Sequence, residues 1–186
     1  MMHFFRKRLT FLAVCGIILL SGMYYQAATT PVEEAVRATS DYETAGAMEK
    51  APDVKLPGMD GDMYTVGQFS DKPLLLTFFA SWCDICQKEL PQLSQLYESN
   101  KDKFHVAAVN ATSKEYRKED VYSFVREAKL SMPVLLDKEG EAIEAFHVSM
   151  VPVSFLIDTN GTIQNTFYGP ISADELNKEL RSIPSS

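Results

Sequence analysis

Residues Leu74-Leu-Leu-Thr-Phe-Phe79 form a nearly unbroken apolar run that leads straight into Trp82-Cys83-Asp84-Ile85-Cys86. Apolar side chains that do not alternate with polar ones predict a strand covered on both faces. Beyond the cysteines, Leu90, Leu93, Leu96 and Tyr97 recur at helical spacing, which predicts a helix from Cys83 to about Ser99. A strand that must be covered twice and runs at once into a helix commits the chain to an α/β layer architecture.

The remaining pattern fits that frame. Val54 to Leu56 and Met63 to Val66 flank Pro57-Gly58 and Asp60-Gly61, which predicts a short hairpin. Strands are then expected at Phe104 to Asn110, Pro133 to Leu136 and Val153 to Ile157. Helices are expected at Glu119 to Lys129 and Glu141 to Phe146. Asn160-Gly161 is a strong turn signal leading into a strand over Thr162 to Tyr168. Ser172 with Glu175 three residues on starts a last helix with a capping box. Alternation in the middle and a hairpin at the end imply a mixed sheet with helices on both sides.

The chain of 186 residues holds one domain and an appendage, and 46% hydrophobic residues suffice for a core. Residues 1–25 contain Arg6, Lys7 and Arg8 and no acid, so the remainder carries 15 basic against 25 acidic residues, a net −10. Such a body is repelled by phosphate backbones, and nucleic-acid binding is excluded. The 17 residues Leu9 to Tyr25 are uncharged and follow that basic cluster. This reads as a membrane anchor with its N-terminus in the cytoplasm and the rest of the chain outside. The competing reading is a cleaved signal peptide, but a large residue stands three positions before either candidate cut, after Ala27 or Ala28. The expected organisation is a signal-anchor at 1–25, a flexible linker at 26–50 and a folded domain at 51–186.

Three cysteines make no disulfide scaffold. Cys15 lies in the apolar run, which leaves Cys83 and Cys86. A bridge between residues three apart closes too small a loop to stabilise much, so reactivity rather than stability explains the pair. Helical residues at that spacing share a face, so the two sulfurs can join. Cys83 at the helix start meets unpaired N–H groups and the positive end of the helix dipole, which favour its thiolate. Cys86, one turn inside, can attack a mixed disulfide formed on Cys83. Half a zinc site has the same spacing, but no second ligand pair exists. His105 and His147 stand apart in sequence, and no metal is expected.

Over residues 51–183 the chain resembles the thioredoxin-like superfamily, in particular its TlpA/ResA-like branch of anchored oxidoreductases. The matching positions are Ala51-Pro52-Asp53, Asp60-Gly61, Phe78-Phe79-Ala80-Ser81-Trp82-Cys83-x-x-Cys86, Pro91, Val151-Pro152, Phe155-Leu156-Ile157-Asp158 and Gly169. The resemblance implies a thioredoxin fold with an N-terminal β-hairpin extension. It also implies a cis Pro152 beside the redox pair, where the Val151 backbone can pair with an incoming peptide. Trp82 would shield one side of the site, and Glu89, three residues after Cys86, would influence cysteine protonation. No cofactor is implied.

Two departures bear on function. Thr77 stands where thioredoxin itself has a buried Asp, leaving Glu89 as the candidate proton acceptor for Cys86. Asp84-Ile85 replaces the common x-Pro, and the Asp84 charge disfavours the Cys83 thiolate. A less stable thiolate predicts a reductant, because oxidants of this fold stabilise their reduced form. The resemblance implies protein substrates such as the haem-binding cysteines of apocytochrome c, and a membrane thiol-transfer donor of CcdA/DsbD type. Two alternatives stand beside it: an oxidase for secreted proteins, and a copper-delivering assembly factor using the thiolates with His147.

Overall fold

The computed structural model describes residues 49–183. The expected anchor at 1–25 and nearly all of the expected linker lie outside the described residues. In chain order the elements are β1 (Lys55–Pro57), β2 (Met63–Thr65), β3 (Leu74–Phe79), α1 (Asp84–Glu98), β4 (His105–Asn110), α2 (Lys118–Glu127), β5 (Val134–Leu136), α3 (Glu141–Ala145), β6 (Val153–Ile157), β7 (Ile163–Tyr168) and α4 (Ala173–Ser182). Five strands form a mixed sheet in the order β5-β4-β3-β6-β7. The β3–β4 and β4–β5 pairs are parallel, whereas β3–β6 and β6–β7 are antiparallel.

The apolar run Leu74–Phe79 becomes the central strand, and all six of its residues are buried. Its side chains alternate between two cores. Leu75 and Phe79 join Leu90, Leu93, Val106, Leu156 and Leu176 on the side covered by α1, α2 and α4. Leu74, Leu76 and Phe78 join Val109, Phe146, Phe155 and Ile157 on the other side. There Phe78, Phe146 and Phe155 contact one another with centroids 5.1 to 5.8 Å apart. This is the spacing of favourable tilted and edge-to-face pairs.

Local chemistry fixes the element ends. The Ser172 hydroxyl accepts the Glu175 N–H at 3.2 Å and starts α4. Between β6 and β7 the Asp158 carboxylate accepts the Asn160 and Thr162 N–H groups at 2.9 Å, and Gly161 takes φ +74°. β1 and β2 pair antiparallel in a separate two-stranded sheet. Its turn reaches the outer edge of β5, where the Met59 N–H donates to the Val134 carbonyl at 2.9 Å and Gly58 bridges Leu135. At the opposite edge Glu49, Lys50 and Ala51 pair with Gly161 to Ile163 at the start of β7.

Candidate active site

Parallel pairing brings the C-terminal ends of β3 and β4 to one edge of the sheet, with Phe79 opposite Asn110. β6 enters at the same edge, Val153 opposite Phe78. Three loops therefore meet there: 80–83, 111–117 and 146–152. The carboxyl edge of parallel strands is where open α/β sheets place their chemistry.

Cys83 and Cys86 are joined in a disulfide with Cα atoms 5.2 Å apart. Cys83 is the N-cap of α1 in extended conformation, and its sulfur accepts the Cys86 N–H at 3.2 Å. That contact uses one of the donors a helix start leaves unpaired. Cys86 has no exposed surface, whereas Cys83 retains 7%. Any partner therefore reaches Cys83 first. The Val151–Pro152 peptide bond is cis, and Cys83 Sγ lies 3.9 Å from the Val151 carbonyl oxygen. Trp82, half-exposed, donates its indole N–H to the Lys114 carbonyl at 3.1 Å and tilts against the exposed Tyr116 ring, centroids 5.8 Å apart.

Glu89 sits one helical turn beyond Cys86 and is only 4% exposed. Its Oε1 accepts the Ile171 N–H at 2.8 Å. Its Oε2 is the one buried side-chain oxygen or nitrogen without a hydrogen-bond partner among the described residues. Burial pushes the carboxyl up to about 7, and the Ile171 N–H opposes part of that rise. Beneath, Thr77 and Ser154 are fully buried cross-strand partners, and the Ser154 hydroxyl pairs with Thr77 Oγ1 at 2.9 Å.

The two histidines lie apart. His105 pairs with Asp71 at 2.6 Å at the far end of β4 from Asn110. His147 is exposed with φ +52° in the turn after α3. No group of three or more His, Cys, Asp or Glu is placed to hold a metal ion among the described residues.

Sequence reasoning passed over the neighbours of the redox loop. Glu115 Oε1 accepts the Ser81 N–H at 2.6 Å and an Asn110 Nδ2 hydrogen at 2.7 Å, while Oε2 accepts the Ser81 hydroxyl at 2.5 Å. Gln87 Nε2 donates to the Ser81 carbonyl at 2.6 Å. The usable signal was position: Asn110 ends a parallel strand paired with β3, so it and the loop to Glu115 had to lie beside the cysteines.

A profile of the AhpC/TSA family matches residues 47–166. The chain belongs to this thioredoxin-like family. Within it, the sporulation thiol-disulfide oxidoreductase A of Bacillus subtilis is 33% identical over 137 residues, covering 71% of this chain and 82% of that one. The thiol-disulfide oxidoreductase ResA of Bacillus thuringiensis is 31% identical over 136 residues, 73% of this chain and 77% of its own. Among solved structures, the exposed lipoprotein thioredoxin of Streptococcus pneumoniae superposes with a TM-score of 0.64 at 27% identity, covering 71% of this chain and 100% of that one. With this fold and these relatives, the protein is a thiol-disulfide oxidoreductase of the ResA type.

Proposed function

We propose that the protein reduces disulfides in exported polypeptides on the outer side of the membrane, held there by residues 1–25. The observation that carries this reading is the asymmetry of the pair. Cys83 alone reaches the surface, and the wholly buried Cys86 has a half-partnered carboxyl one turn away.

In the forward direction the Cys83 thiolate attacks one sulfur of the substrate disulfide. The substrate S–S bond breaks, its leaving thiolate takes up a proton, and a mixed disulfide forms on Cys83. Cys86 gives its proton to Glu89 and attacks Cys83 Sγ. The second substrate thiolate departs and is protonated, and the Cys83–Cys86 disulfide holds the oxidising equivalents. Two electrons have passed from protein to substrate. A carboxyl raised to about 7 is matched to this exchange near neutral pH. Val151, beside the cis Pro152, offers backbone to an extended substrate segment, and Trp82 with Pro152 walls the approach to Cys83.

An external dithiol must restore the pair, and a membrane thiol-transfer protein of CcdA/DsbD type fits an anchored domain. Disulfide-bonded cysteines of apocytochrome c are a fitting substrate, as are disulfides of other exported proteins. The ResA and sporulation-oxidoreductase likeness supports the exchange chemistry, and the exposed-lipoprotein likeness supports the outward setting.

The test is a redox titration of the full-length chain against glutathione, together with trapping by Cys86→Ala. A midpoint nearer the thioredoxin value of about −270 mV than the DsbA value of about −120 mV is expected. Cys86→Ala should accumulate partners disulfide-bonded to Cys83. A midpoint at the oxidising end would reverse the direction of electron flow and make the protein an oxidase.

A further inference from the structure

Ser81, two residues before Cys83, has every polar atom engaged by a side chain. Its N–H and hydroxyl both donate to the Glu115 carboxylate, and its carbonyl accepts from Gln87. Glu115 is itself seated by rigid parts. Asn110, fully buried at the end of β4, donates to Oε1, and the Asn110 side-chain oxygen accepts the Thr112 hydroxyl at 2.8 Å. On either side of Glu115 the contacts repeat. The Lys114 carbonyl takes the Trp82 indole N–H, and the Tyr116 ring lies against Trp82. A carboxylate accepts on both oxygens, so it can hold an N–H and a hydroxyl of one residue together. A glutamine of the same length has only one acceptor oxygen, so it cannot accept at both positions.

We propose that Glu115 is a positioning residue for the redox pair, acting through Ser81 to fix where Cys83 enters α1. The inference rests on the reading that Cys83 and Cys86 cycle between disulfide and dithiol. In the oxidised protein the covalent bridge itself restrains the loop. In the dithiol only non-covalent contacts hold Cys83 facing Cys86. Loss of the Glu115 clamp therefore frees the reduced state more than the oxidised one. The chain must then give up more freedom to close the disulfide, and the equilibrium moves toward the dithiol.

The experiment is equilibration of the full-length chain and its variants with glutathione, with melting of both redox states recorded alongside. Glu115→Ala is expected to shift the equilibrium constant toward the dithiol about tenfold, which corresponds to about 30 mV. Glu115→Gln keeps one acceptor oxygen and is expected to shift it less, in the same direction. A shift toward the dithiol of threefold or more for Glu115→Ala supports the assignment. A smaller or opposite shift, with both redox states melting lower by the same amount, marks a purely structural role and overturns it. If Glu115→Ala does not fold, Glu115→Gln decides: a shift toward the dithiol of twofold or more supports the assignment, and anything less overturns it. A parent protein whose cysteines never exchange with glutathione overturns both this assignment and the proposed function. An active parent with an unmoved variant overturns this assignment alone.

Discussion

The two faces of the five-stranded sheet draw on alternate residues of the same strands, yet they differ in chemistry. Behind β3, on the side away from α1, Phe78, Phe146 and Phe155 meet among aliphatic side chains. On the α1 side the core admits the cysteine pair, the Thr77–Ser154 hydroxyls and a carboxyl with an unpartnered oxygen. Burying such groups costs free energy that hydrocarbon would not. One face holds the strand in place, and the other gives up part of its stabilisation to keep protonatable groups near sulfur.

If that division is real, the largest stability effect lies on the face without chemistry. Phe78→Ala should destabilise the protein by about 3–5 kcal/mol in urea unfolding. Its equilibrium with glutathione should stay at the parent value, and a moved equilibrium would show that the faces are not independent.

Glu89→Gln sharpens the contrast from the other side. The buried carboxyl titrates at about 7 rather than 4.5, so the folded protein resists its ionisation. The penalty is absent below about pH 4.5, grows as pH rises, and is complete above about pH 7. The glutamine variant should therefore be more stable than the parent by about 3 kcal/mol at pH 8. At pH 5 most of the gain should have gone, and a gain equal at both values would refute a titrating Glu89. The smallest effect belongs to the hydroxyl pair. Thr77→Val strands the Ser154 donor and should cost about 1 kcal/mol, whereas the double variant with Ser154→Ala should lie close to the parent. Chemical denaturation of the parent, both single variants and the double variant reads the coupling directly.

Much of the architecture was legible because Leu74 to Phe79 cannot be covered by one layer and Asn160-Gly161 can hardly be anything but a turn. The helix starts were equally plain. Cys83 and Ser172 cap α1 and α4 through their own side chains. The cysteine pair could be read from its motif, whereas Pro152 and Glu89 entered as candidates through the family resemblance. What spacing could not supply was the partner of each Glu89 oxygen, since Ile171 lies 82 residues away and meets it only through the fold. Glu115 was hidden for the same reason. In sequence it is one of 25 acids, set in a polar loop, and its role depends on β4 lying beside β3.

The short stretch from Glu49 to Thr65 touches both outermost strands of the sheet, β7 through Glu49 to Ala51 and β5 through Gly58 and Met59. Trimming the protein to a minimal catalytic core would bare two rows of backbone donors and acceptors at once. Such a fragment would be prone to polymerise flank to flank, however intact its cysteines. That opening segment serves as a selvedge, which keeps the woven part from joining its neighbours.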